Sequence, residues 1–251
     1  MRTRWMLGLA AAACFASVLA RSRPSAAADE SEPRRGVRSE WFVLEEFGPE
    51  GKARTAGVAR FSRTARPGST QLETDFVFAR EDRANGVVRV FAVEELTPDH
   101  AKLSWREVAR GSGRSLRAEW RAGEDALDVT EWGNGPRWRE ALASDEGALL
   151  PHYLIELLRK GGLASGSVPC FDPLSRSIEP LSIATWYDEG GRARTVELAR
   201  TDGTLFGRYR FEGERLVGFQ GQAGGAWARA VDEAEHARAE RELATTAPAG
   251  S

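Results

Sequence analysis

Apolar and polar residues alternate with a period of two from Trp41 to about residue 140, and turn residues break the alternation at intervals of about ten. Leu72, Thr74, Phe76 and Phe78 alternate with Gln71, Glu73, Asp75 and Val77. Val88, Val90 and Ala92 follow a turn at Asn85-Gly86, and Leu103 and Trp105 mark the next run. Leu116, Ala118 and Trp120 follow Gly111-Ser112-Gly113, and Leu127, Val129 and Glu131 follow Gly123-Glu124-Asp125. Such runs predict strands of an antiparallel meander, with side chains pointing alternately to two faces.

The period then changes. Leu150, Tyr153, Leu154, Leu157 and Leu158 fall at i, i+3, i+4, i+7 and i+8, which predicts an amphipathic helix near 151–160. Pro151 suits a first helical position, Arg159 and Lys160 suit the negative end of the helix dipole, and Gly161-Gly162 ends the run. Alternation resumes with Ile183, Thr185 and Tyr187, then Thr195, Glu197 and Ala199. Gly203 and Gly213-Glu214 mark two hairpins, and Trp227 to Val231 reads as the last strand. Asp232 to Leu243 reads as a short exposed helix held by charge pairs such as Arg238 and Glu242. Thr245 to Ser251 is expected to be disordered. The predicted fold is mainly β (α+β): a curved antiparallel sheet or open half-barrel wrapping one internal amphipathic helix.

The start of the chain has a different character. Arg2 and Arg4 precede an apolar run from Met6 to Ala20, and a small-residue site at Ala26-Ala27-Ala28 follows. This is the anatomy of a secretory signal peptide over residues 1–28, so the chain is expected to be exported, periplasmic or extracellular. Cleavage after Ala28 fits best, and lipidation at Cys14, behind Ala11-Ala12-Ala13, is the minor alternative. An uncleaved anchor fits least, because the run is shorter than the roughly 20 residues that span a bilayer. Residues 29–39 read as a flexible tether, residues 40–229 as one β-rich domain, and residues 230–251 as a charged, partly disordered tail.

Losing Arg2, Arg4, Arg21 and Arg23 with the leader would take the formal charge from −2 to −6. Such a balance argues against nucleic acid as a partner. No stretch after the leader is apolar and long enough to cross a membrane. Of the 22 aromatic residues, 8 are Trp, a load that reads first as core and strand packing. Cys170 has no expected intramolecular partner, so an exported domain would be held by its core alone.

Candidate chemistry is sparse. The histidines are His100, in a turn, His152, on the helix, and His236, in the tail. His152 and Glu156 lie four apart and could share a metal ion, but no second pair completes a site, so a solvated helix face is the reading and no metal is assigned. Cys170 would need a base to act as a nucleophile, and His152 is the only one near in sequence; a buried inert thiol is expected. Glu45-Glu46 and Glu94-Glu95 should each split across the two faces of a strand. Gly221 to Gly225 lacks the lysine and helix pattern of a phosphate loop. No catalytic residue and no cofactor are assigned, and the ligand-binding residues stay unknown.

Three segments carry a resemblance: Trp41-Phe42-Val43-Leu44, Leu149-Leu150-Pro151-His152-Tyr153-Leu154 and Phe171-Asp172-Pro173-Leu174. Their order resembles exported bacterial β half-barrel proteins of unknown function, which are similar to the outer-membrane lipoprotein carriers and to a periplasmic sensor of sigma-factor regulation. The likeness spans about residues 40–229 as a pattern. It implies a curved sheet around a helix, with a concave face that takes acyl chains. The leading expectation is therefore a non-enzymatic envelope protein that binds an apolar ligand such as lipid. The alternative is a structural or protein-interaction module of an envelope assembly, its core plugged by its own side chains.

Overall fold

A computed structural model describes residues 37–47, 50–79, 87–109, 112–121, 124–133, 136–143, 148–163, 165–221 and 226–246. The leader with Cys14, most of the tether, residues 222–225 and residues 247–251 lie outside the described residues.

The described residues build a fourteen-stranded antiparallel sheet from two meanders. The first runs through β1 (Val37–Phe47), β2 (Ala53–Arg66), β3 (Ser69–Ala79), β4 (Val87–Thr97), β5 (His100–Ala109), β6 (Ser112–Arg121), β7 (Ala126–Gly133) and β8 (Trp138–Ala143). Helix α1 (Pro151–Arg159) then carries the chain to the opposite edge. The second meander returns through β9 (Gly166–Asp172), β10 (Ser177–Tyr187), β11 (Ala193–Ala199), β12 (Leu205–Glu212), β13 (Arg215–Gly221) and β14 (Trp227–Val231). It closes by pairing β14 with β1, so the edges of the open sheet are β8 and β9. Helix α2 (Glu233–Thr246) follows.

The sheet must curve, because residues from its two ends touch. Phe171 on β9 and Ile178 on β10 pack with Leu127, Val129 and Trp138 of β7 and β8. Arg114 of β6 donates to the carbonyls of Pro173 and Leu174 in the β9–β10 turn, and Arg176 of that turn stacks on Trp138. This is the curved sheet around an internal helix that the alternation predicts.

The inner face holds most of the core. Phe42, Phe61, Phe76 and Phe219 pack edge-on, with ring centroids 5.2–5.9 Å apart. Leu154, Leu157 and Leu158 of α1 press into this group together with Leu181, Val196, Leu198 and Phe211. The outer face of β1–β3 is covered too: Val43, Val58 and Val77 meet Ala239 and Leu243 of α2.

Two sequence readings need correction at the ends of the domain. The first strand begins at Val37, inside the stretch read as tether, because residues 37–39 extend the pairing of β1 with β2. The tail helix is half-buried rather than exposed, and it includes Thr245, which the sequence reads as disordered. Its apolar residues are few but share one face with His236, at i, i+3 and i+7, and the sheet's outer valines cover that face.

Leu154 is fully enclosed on the concave face. Leu154→Ala should cost about 2–5 kcal/mol, the range for emptying a packed leucine site. Chemical denaturation of the variant measures this loss.

Candidate functional site

Helix α1 is nine residues long, too short to persist alone in water, so its unpaired end groups decide whether it forms. Its N-cap residue, Leu150, offers no side-chain oxygen, and its first turn holds no acid. The cap comes instead from across the fold. Glu94 of β4 accepts the backbone N–H of His152 on one carboxylate oxygen (2.7 Å) and that of Tyr153 on the other (2.8 Å). At the far end, Gly161 takes a positive φ of 70°. Gly162 N–H donates to the Leu157 carbonyl and Gly161 N–H to that of Leu158, each at 3.0 Å. Arg194 of β11 donates to the Leu158 and Arg159 carbonyls as well. The guanidinium at the negative end suits the helix dipole, and the carboxyl at the positive end supplies the acceptors the first turn lacks.

The side of α1 between these ends is polar and buried. The Thr74 hydroxyl of β3 and His152 Nδ1 lie 2.9 Å apart, and the imidazole meets the Phe61 ring edge-on. Arg159 holds Glu40 of β1 with two hydrogen bonds of 2.7 Å and donates to the Glu214 carbonyl. Glu156 receives Arg63 of β2 at 3.3 Å. Arg159 Nε lies 3.0 Å from Glu156 Oε1, but without the alignment of a hydrogen bond. The reading of His152 and Glu156 as a solvated face is therefore wrong: both are buried, at 4% and 6% exposure. A helix wheel assumes one covering surface, whereas the curved sheet reaches α1 from several strands.

Electrostatics follow from this burial. Burial pushes the Glu94 carboxyl up to about 8, against the pull of the two helix N–H groups. Burial, with Arg159 and Arg63 nearby, pushes His152 down to about 3, so its ring is neutral. Between Glu40, Arg63, His152, Glu156 and Arg159 lies a cleft of about 20 Å³, room for one water molecule.

The other sequence candidates fall elsewhere. Cys170 is fully buried, and its thiol faces the Phe171 carbonyl at 3.7 Å; burial pushes it well above the usual thiol range. The imidazole nearest in sequence is bonded to Thr74 instead. Glu94 and Glu95 split across the sheet as expected, Glu94 buried and Glu95 exposed. His236 lies against Trp41 under α2. His100, at the start of β5 rather than in a turn, contacts Glu119 at 3.0 Å. Arg121, His100 and Arg117 together hold Glu119 down to about 2. Among the described residues, no three His, Cys, Asp or Glu side chains are grouped to hold a metal ion.

Sequence reasoning missed Glu40, Arg63 and Arg194, and took Glu94 only as half of an acid pair that splits across a strand. The signal was present in the alternation: Val88, Val90, Ala92, Glu94 and Leu96 form one inner row, as do Arg194, Val196 and Leu198. An ion in an inner row implies a buried partner. The outer face of β6–β8 was also missed. There Arg117, Arg121, Arg137 and Arg139, with the half-exposed Trp132, line a hollow of about 390 Å³.

No protein-family model matches the chain, and neither a curated protein nor a solved structure matches it. No helix among the described residues is long and apolar enough to cross a membrane.

The titrations have a testable sign. The folded state retains the Glu94 proton between 4.5 and about 8, where the unfolded chain has lost it, so stability falls as pH rises through that range. His152 stays neutral down to about 3 while the unfolded chain protonates below 6.5, so stability falls as pH drops through that range. The contributions of these two groups oppose each other between 4.5 and 6.5, whereas Glu94 stands alone in lowering stability above 6.5 and His152 alone of the two below 4.5. Glu94→Gln should abolish the decline above 6.5 and cost about 1–3 kcal/mol near pH 6, because an amide nitrogen cannot accept a helix N–H. Denaturation midpoints across the pH range test both statements. Separately, Cys170 should react slowly with a thiol reagent in the native state and at once in denaturant.

Proposed function

We propose that this chain is a non-enzymatic structural or protein-interaction module of the cell envelope, with a core plugged by its own side chains. One observation carries this reading. The concave face, where an acyl chain would lie in a carrier, is filled by the Phe42, Phe61, Phe76 and Phe219 rings and by the leucines of α1. The cleft that does open beside α1 is polar and has room for a single water. An apolar ligand needs a cavity of several hundred cubic ångströms lined mainly by apolar groups.

The leader-like first 28 residues support an exported setting. A non-enzymatic role is supported by the state of the two best chemical candidates. His152 is neutral and committed to Thr74, and the Cys170 thiol is enclosed by core residues. The surface offered to a partner is the outer hollow on β6–β8. Four arginines outnumber the acids Glu119, Glu124 and Asp128 there, and an exposed indole adds contact area, which suits an acidic protein segment.

Purified protein should release no lipid on extraction with organic solvent and mass spectrometry, and it should bind no apolar fluorescent probe in its native state. Recovery of a stoichiometric lipid would reverse the choice in favour of the acyl-chain carrier.

A further inference from the structure

We infer that α2 is a pH-sensitive latch, whose docking on the outer face of β1–β3 loosens when the His236 ring, enclosed between α2 and Trp41, takes up a proton. The geometry has three parts.

The seat is thin. Ala239 and Leu243 of α2 pack on Val43, Val58 and Val77. His236 lies in the same helical row and is 7% exposed. Its imidazole meets the Trp41 ring edge-on, with centroids 4.8 Å apart. A proton added here enters a buried contact of the seat.

The ring has an anomaly. His236 Nε2 is fully buried with no hydrogen-bond partner among the described residues. A bare ring nitrogen is tolerable as an unprotonated acceptor. As an N–H of an imidazolium it would be a charged donor with nothing to receive it.

The surrounding charges do not rescue it. Glu240 of α2 and Asp75 of β3 favour a proton on the ring, but Arg89 of β4 engages both, at 3.9 and 2.5 Å. Glu233 adds a weaker pull from α2 itself. Arg60 of β2 opposes the proton and already stands 5.6 Å from the centroid of the same Trp41 ring. From β14, Arg229 is bound to Glu235 and Glu45. Burial and Arg60 outweigh the acids, and the ring is held below its ordinary value. The docked helix therefore prefers the neutral ring, and the undocked helix gains a proton below about 6.5. Release would uncover Val43, Val58 and Val77 as an apolar stripe.

The test uses the full chain and reads amide-exchange protection of residues 233–246 at pH 7.5 and 5.5, corrected for intrinsic exchange rates. In the wild type, protection should fall by at most about tenfold for each pH unit below 6.5, the limit for one proton. His236→Phe should show the same protection at both values. Leu243→Ala should lower protection at both yet keep the fall. Undiminished wild-type protection at pH 5.5, or an equal fall in His236→Phe, overturns the inference. If His236→Phe does not dock at all, the ring's own NMR titration decides. A midpoint below 6.5 that coincides with the loss of protection supports the latch, and a midpoint at or above 6.5 with the helix still protected sinks it.

Discussion

The structure depends on a buried carboxyl and a guanidinium meeting the two ends of one short helix. A nine-residue helix leaves nearly as many backbone groups unpaired as it pairs. In α1 those groups are answered by Glu94 at one end and Arg194 at the other, from strands in different meanders. The helix thereby becomes a cross-brace. It touches both halves of the sheet through its own backbone ends, and it is also the chain's route from one edge of the sheet to the other.

The same arrangement disciplines the sheet. Glu40, Arg63, Glu94 and Arg194 all stand in inner rows, where a strand normally places apolar side chains. A slip of one residue in any of β1, β2, β4 or β11 would turn its ionisable side chain outward and leave a charged or polar partner on α1 buried without an answer. Burying such ions is costly, and well-packed apolar groups of similar size could have filled the space. Their presence is better understood as specifying register and helix position than as adding stability.

Much of the fold was legible from the chain, because period-two runs and an i, i+3, i+4 stripe are strong signals. Leu150, Leu154, Leu157 and Leu158 marked the helix and its buried side, and Gly161 marked its end. The buried cluster was not legible for two reasons. Reading α1 as amphipathic gave His152 and Glu156 to solvent, although their covering strands reach over them from β2 and β3. Reading Glu94 as one of an adjacent acid pair hid its place in the row of Val90, Ala92 and Leu96. In both cases the missing information was tertiary: which residue far along the chain supplies the opposite charge. The burial of His236 was hidden likewise, since Trp41 lies almost the whole domain away in sequence.

The pairing of β1 with β14 has a kinetic consequence. Arg229 and Glu45 meet there across 184 positions of chain, so the seam forms only after both meanders can reach it. On its other side, β14 is held to β13, among the described residues, through two registered pairs, Gly218 with Arg229 and Phe219 with Ala228. Each meander is built of local hairpins and can zip early, whereas the seam must wait for the longest-range strand pairing in the sheet. Before that moment β1 presents a bare edge to every other nascent chain nearby, which makes the interval before β14 arrives the period of greatest exposure to misassembly.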